Sequence, residues 1–174
     1  MTFAPDLYVA ALRFAAERHR GQLVPGSELP YIVHVASVAA EVIAALAPGD
    51  DADLAVCAAL LHDTIEDTGT RHDELVAAFG ARVADAVQAL SKNKATPDPM
   101  ADSLARIRTQ PREVWMVKLG DRITNLAPPP GHWTRDKCRA YREEATKIAD
   151  ALGAASAMLD ARLRDRIASY AAYC

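Results

Sequence analysis

Asp51-Ala52-Asp53-Leu54-Ala55-Val56-Cys57-Ala58-Ala59-Leu60-Leu61-His62-Asp63-Thr64-Ile65-Glu66-Asp67-Thr68 is the stretch on which the fold turns. From about Asp51 to His62 it is apolar almost all round, with no polar face for solvent, so it reads as a helix at the centre of a core. It then ends abruptly in His-Asp, and two more carboxylates, Glu66 and Asp67, follow within a turn. Imidazole and carboxylate both bind divalent cations, and neighbouring residues can converge where a helix backbone turns away. Taken alone, the same pattern is also that of a polar helix terminus with solvated acids.

Working outward, the flanks read as helices. Asp6 can cap a first helix with Leu7, Ala10, Ala11 and Phe14 at helical spacing, closing at Arg18-His19-Arg20 before Gly21. Gln22 to Pro30 contains Pro25, Gly26 and Pro30 and reads as a loop. Val35, Val38, Ala39, Val42, Ile43 and Leu46 share a face of the next helix, which stops at Pro48-Gly49. Beyond the central stretch, Thr70 with Asp73 resembles a capping box for a short helix ending at Gly80. A helix with Val83, Val87 and Leu90 follows. Lys92 to Pro99 is a loop, succeeded by a helix that stops before Pro111. Val114 to Leu126, Thr134 to Leu152 and Ala154 to Tyr170 complete the set, with Pro128-Pro129-Pro130 as the sharpest break. No strand, repeat or long linker is evident. The expectation is all-α: one compact multi-helix domain over residues 1–174.

Composition agrees. Hydrophobic residues make up 51% of the 174-residue chain and aromatics only 6%, which suits closely packed helices better than a β-sandwich. A net charge of −3 argues against a general nucleic-acid binder, though a local basic cluster can still hold a small anion. Three cysteines without paired spacing (Cys57, Cys138, Cys174) argue against a disulfide framework or a Cys-rich zinc site. No basic leader and no membrane-length apolar run is visible, so the expected setting is the cytoplasm, with no membrane partner.

Two further segments carry chemistry. His34 opens an otherwise apolar helix just after Pro30-Tyr31-Ile32-Val33. In Val117-Lys118-Leu119-Gly120-Asp121-Arg122-Ile123-Thr124-Asn125-Leu126, Lys118, Asp121 and Asn125 fall on one helix face. A cation, a carboxylate and an amide stacked there suit the wall of a phosphate and metal pocket. An ordinary Lys–Asp helix pair would look the same.

Tyr31-Ile32-x-His34, His62-Asp63-Thr64-Ile65-Glu66-Asp67-Thr68 and Lys118-Leu119-Gly120-Asp121-Arg122-Ile123-Thr124-Asn125-Leu126, in that order, resemble the hydrolase domain of RelA/SpoT-type alarmone enzymes. More narrowly, they resemble the small stand-alone alarmone hydrolases, across about Leu7 to Leu152. The resemblance implies an HD-type domain with one divalent metal, typically manganese, on His34, His62, Asp63 and Asp121. It implies catalytic roles for Glu66 and Asp67 in activating water, and nucleotide contacts for Asn125 and Tyr141. Lys92, Lys94, Lys118 and Arg122 are candidate partners for the phosphates of a small-molecule nucleotide. The implied reaction is removal of the 3′-pyrophosphate from (p)ppGpp or its adenosine analogue. The length leaves no room for a synthetase domain, so a hydrolase-only enzyme is expected. Two other functions fit the same residues: an HD phosphohydrolase acting on another phosphorylated nucleotide, and a catalytically silent helical module that binds one.

One segment departs from the family. Where relatives often read Gln-x-Arg-Lys after the first helix, this chain reads Gln22-Leu23-Val24-Pro25-Gly26-Ser27-Glu28. The cations that would help hold the nucleotide are missing there, which leaves the identity of the base open.

Overall fold

A computed structural model describes residues 3–174. Its elements are α1 (Pro5–Arg18), α2 (Ile32–Ala45), α3 (Ala52–Leu61), α4 (Thr64–Thr68), α5 (His72–Phe79), α6 (Ala81–Leu90), α7 (Pro99–Arg108), α8 (Arg112–Asn125), α9 (Arg135–Leu152) and α10 (Ala157–Tyr170). Short 3-10 turns occupy Gly153–Ala155 and Ala171–Tyr173. Among the described residues there is no strand, only an isolated bridge between Leu23 and Pro30. The all-α, single-domain expectation holds, and no helix of the described residues is long and apolar enough to cross a membrane.

α3 is central because its sequence offers nothing to solvent. Ala52 and every residue from Leu54 to Leu61 are buried. α1, α2 and α8 pack around it, α6 lies against its other side, and α9 and α10 close the bundle over α8. Asp51 starts α3 by accepting a hydrogen bond from the Leu54 amide at 3.1 Å, and Glu113 at the head of α8 accepts from the Asp51 amide at 2.9 Å. α8 lies against α2 at Gly120, with room for ordinary contact only. A methyl group there would sit 3.4 Å from Glu41 Cβ and from Val42 Cγ2.

Two local features differ from the sequence expectations. The chain after His62 makes a separate short helix, α4, which the sequence reading did not assign. Asp63 leaves the helical path with φ −99° and ψ −2°, and Thr64 Oγ1 donates to the Leu61 carbonyl at 2.7 Å, satisfying one carbonyl at the end of α3. The start of α5 is also different. Thr70 does not cap it; its hydroxyl pairs with that of Thr68 at 2.8 Å, while Glu74 Oε2 accepts from the Arg71 amide at 2.9 Å. A glutamate that reaches back to the first amide serves where the threonine is turned inward.

Truncating a residue of the hub should be costly. Leu61 is fully buried, so Leu61→Ala is expected to lower unfolding free energy in urea by about 2–5 kcal/mol. A loss below about 1 kcal/mol would contradict the central place given to α3.

Candidate active site

His34 on the first turn of α2, His62 and Asp63 at the break between α3 and α4, and Asp121 in the middle of α8 meet in the interior. His62 is 3% exposed, Asp121 6% and His34 7%, a burial that charged and polar groups accept only with partners. Asp63 Oδ2 lies 2.9 Å from His62 Nε2 and 3.7 Å from His34 Nε2. Asp121 Oδ1 lies 3.5 Å from His34 Nε2 and 3.8 Å from His62 Nε2.

These are charge contacts, not hydrogen bonds, because both Nε2 atoms are buried without a hydrogen-bond partner. The opposite ring nitrogens are engaged. His62 Nδ1 donates to the Ala59 carbonyl at 2.8 Å. Thr124 Oγ1 gives its proton to the Asp121 carbonyl at 2.8 Å, so at its 3.4 Å contact with His34 Nδ1 it acts as the acceptor. Both imidazoles are therefore anchored through Nδ1 with Nε2 turned toward the carboxylates, the arrangement of a metal-binding histidine. His34, His62 and Asp63 offer ligand atoms within 4.8 Å of one another, and Asp121 stands beside them. The donor set of imidazole nitrogen and carboxylate oxygen fits a divalent cation, and the two unpaired nitrogens fit it best.

The surrounding charges are arranged to keep the carboxylates ionised. Burial would raise Asp121, but the Lys118 ammonium at 2.8 Å and the two imidazoles hold it well below the usual carboxylate range. Asp63 is likewise held low, against burial, by His62, His34 and the Tyr31 hydroxyl at 2.5 Å. Burial pulls His34 downward, yet Asp121 and Asp63 outweigh it and raise the imidazole to about 9. His62 is raised by Asp63 and Asp121 against the same penalty.

The other expected residues divide into groups. Asn125 Nδ2 donates to Asp121 Oδ1 at 2.5 Å, and Asn125 also lines a cavity of about 140 Å³ beside His34. Tyr141 lines that cavity too, with Val24, Pro25 and the Pro128–Pro130 run. Burial pushes the Tyr141 phenol up to about 12. Lys118 is committed to Asp121, as the ordinary helix-pair reading allowed. Arg122 is only 2% exposed; its guanidinium lies 4.1 Å from the Tyr141 ring centroid and 3.3 Å from Glu144 Oε2. It supports the cavity wall from behind.

Glu66 faces a second, larger cleft of about 680 Å³, which Lys92 and Lys94 also line. Its Oε2 accepts from the Lys92 amide at 2.8 Å, and Lys94 Nζ is 3.7 Å from Oε1. Burial lowers Lys92, as do Lys118 and Arg122 nearby, and no described residue pairs with its ammonium. Asp67 is exposed; partial desolvation together with Asp63 and Glu66 raises its carboxyl above the ordinary value.

Sequence reasoning gave no role to Tyr31, Thr124 or Trp133. Tyr31 had a visible signal, its place three residues before His34. Trp133 packs edge-on against Tyr141 at 5.2 Å and lines the same cavity, but its position after three prolines hides that contact from any periodicity.

Residues 11–157 match the HD domain family. The chain is 33% identical to the zebrafish (Danio rerio) guanosine-3′,5′-bis(diphosphate) 3′-pyrophosphohydrolase MESH1, covering 88% of each chain. It is 32% identical to the human (Homo sapiens) protein of that name, covering 88% of this chain and 89% of the other. A solved structure, described as a metazoan ortholog of SpoT that hydrolyzes ppGpp and plays a role in starvation responses, superposes with a TM-score of 0.83. It is 25% identical, and the match covers 97% of this chain and 98% of that one.

If these four groups hold a cation, manganese added to chelator-treated protein should raise the melting temperature, by the stabilisation that follows from binding the native state alone. His62→Ala should abolish the shift. Because a cation must displace the proton on His34, apparent affinity should rise with pH toward about 9 and weaken below it. An undiminished shift in His62→Ala, or affinity that falls as pH rises from 6 to 8, would contradict the assignment.

Proposed function

The chain belongs to the HD domain family, and on that premise we propose that it removes the 3′-pyrophosphate from a nucleotide alarmone, (p)ppGpp or its adenosine analogue, using one manganese ion. The observation that carries the proposal is the pair of buried, unpartnered Nε2 atoms on His34 and His62, facing Asp63 and Asp121 beside a small cavity of about 140 Å³. The activity for which the zebrafish and human relatives are named supplies the substrate class.

In this reading His34, His62, Asp63 and Asp121 hold the metal. A mixed nitrogen and oxygen set suits manganese better than thiolate-rich zinc chemistry. The cation, when bound, supplies Lewis acidity toward phosphoryl oxygens and makes water a better nucleophile. Water attacks the phosphorus joined to the 3′-oxygen, the bond to that oxygen breaks, and pyrophosphate departs while the 3′-oxygen takes up a proton. Asp67 suits the transfer of the water's proton, since its raised carboxyl is a better base than an ordinary surface aspartate. Glu66, fixed by the Lys92 amide and close to Lys94, is the second carboxylate assigned to activating that water, beside Asp67. Lys92 is the cation best free to meet phosphate, because Lys118 and Arg122 are already paired.

The nucleoside end has its place between Val24-Pro25, Pro128–Pro130, Tyr141 and Trp133. About 140 Å³ falls short of the roughly 300–1,000 Å³ that encloses a whole drug-sized ligand, so only the ring system would be enclosed. Free thiols at the buried Cys57 and Cys138 agree with a reducing, cytoplasmic setting.

Glu66→Gln and Asp67→Asn are expected to keep manganese and nucleotide binding while losing roughly a hundredfold or more in kcat. A variant that lost manganese but kept its turnover per bound ion would overturn the role given to it.

The substrate is tested by a panel of guanosine and adenosine 3′-pyrophosphates with manganese, scored for released pyrophosphate. Most of the cavity wall is apolar or aromatic and holds a purine face without reading its edge, which needs hydrogen bonds. The polar Asn125 and Thr124 there already donate to Asp121. Adenosine substrates should therefore be used with kcat/KM comparable to or better than guanosine ones. A guanosine preference above about a hundredfold, roughly 2.7 kcal/mol, would contradict this, and no pyrophosphate from any member would remove the proposed activity itself.

A further inference from the structure

Four aromatic rings run in a row into the interior. His19 stacks on Tyr31 at 4.7 Å, Tyr31 meets His34 at 5.2 Å, and His34 meets His62 at 5.4 Å. The outer two belong to the chain between α1 and α2, which contributes Val24 and Pro25 to the small cavity. That chain is drawn closed at its base. The Tyr31 amide donates to the Gln22 carbonyl at 2.9 Å, and the Gln22 amide donates to the His19 carbonyl at 3.0 Å. His19 itself is only 4% exposed. Its Nδ1 lies 2.6 Å from Gln22 Oε1, an atom that can only accept, so the ring is locked with Nδ1 as donor.

Tyr31, the second ring of the row, makes one side-chain polar contact, its Oη donating to Asp63 Oδ2 at 2.5 Å. Oδ2 is also the Asp63 oxygen that faces His62 Nε2. A phenol donating to that atom restrains the carboxylate's rotation and keeps Oδ2 beside the imidazoles, 2.9 Å from His62 Nε2 and 3.7 Å from His34 Nε2.

We propose that Tyr31 is a positioning residue for Asp63 as a metal ligand, and that His19 and Gln22 form a clasp holding Tyr31 in place. The inference rests on the metal reading above and adds to it a route by which the loop beside the nucleotide cavity sets the metal's affinity. Outer partners that orient a ligand typically change metal affinity or activity by 10–100-fold when removed.

The test is calorimetric titration of manganese into the chelator-treated full chain, for wild type, Tyr31→Phe and His62→Ala. Phenylalanine keeps the ring stack and removes only the hydroxyl. Tyr31→Phe should raise the manganese Kd by about 10–100-fold, leave the melting temperature of chelator-treated protein nearly unchanged, and recover most of its kcat when manganese saturates. A Kd within twofold of wild type overturns the proposal. Wild-type binding that persists in His62→Ala overturns the metal reading instead, and this inference with it. Should Tyr31→Phe fail to fold, His19→Ala and His19→Phe decide the matter. Phenylalanine keeps the stack on Tyr31 but not the bond to Gln22, so manganese binding weaker than wild type in either variant supports the clasp, and wild-type binding in both refutes it.

Discussion

Four polar groups are held face to face inside an apolar bundle, and the rest of the structure answers to that constraint. Burying two carboxylates and two imidazoles is unfavourable unless each charge meets an opposite one and each donor or acceptor meets a partner. Lys118, Asn125 and Tyr31 meet the carboxylates, while Ala59 and Thr124 meet one nitrogen of each imidazole. What is left over is one unpaired nitrogen on His34 and one on His62, pointing at the same space. Residual need of that kind, surrounded by negative charge, is what a divalent cation satisfies.

The helices serve this arrangement in different ways. α3 is apolar on all sides so that its C-terminal end can deliver His62 into the middle of the protein. The bend at Asp63 ends that helix at once and turns the following acids of α4 back toward the surface, so groups four residues apart face interior and solvent respectively. α8 packs against α2, and Asp121 on it stands within charge contact of His34. The triproline after α8 then sets a wall against the α1–α2 loop. Gly26 takes a φ of +78° there, and a side chain on it would press on Pro130 at 3.2 Å.

Much of this was legible in the residues. The solid apolar run from Leu54 to Leu61 announced a central helix, and the spacing of Lys118, Asp121 and Asn125 placed them on one face, where they bond to one another. The convergence of His34 with residues 28 and 87 positions away was legible only through the family resemblance, because nothing local in the sequence encodes which helices touch. Four details escaped. α4 is five residues long, too short for a periodic signal. Thr70 looked like a cap but spends its hydroxyl on Thr68. Arg122 looked like a phosphate ligand but is buried under Tyr141. Tyr31, quoted within a motif, showed its purpose only when its hydroxyl met Asp63. In each case tertiary contact decided the role of a side chain whose local pattern allowed several.

The account stands on one cation being held jointly by His34, His62, Asp63 and Asp121. Pulsed electron paramagnetic resonance of the manganese-loaded protein reads that coordination directly. It should show one bound manganese with nitrogen couplings from two imidazoles, reduced to one in His34→Ala. A manganese signal without any nitrogen coupling, or with couplings unchanged by removing His34, would contradict it.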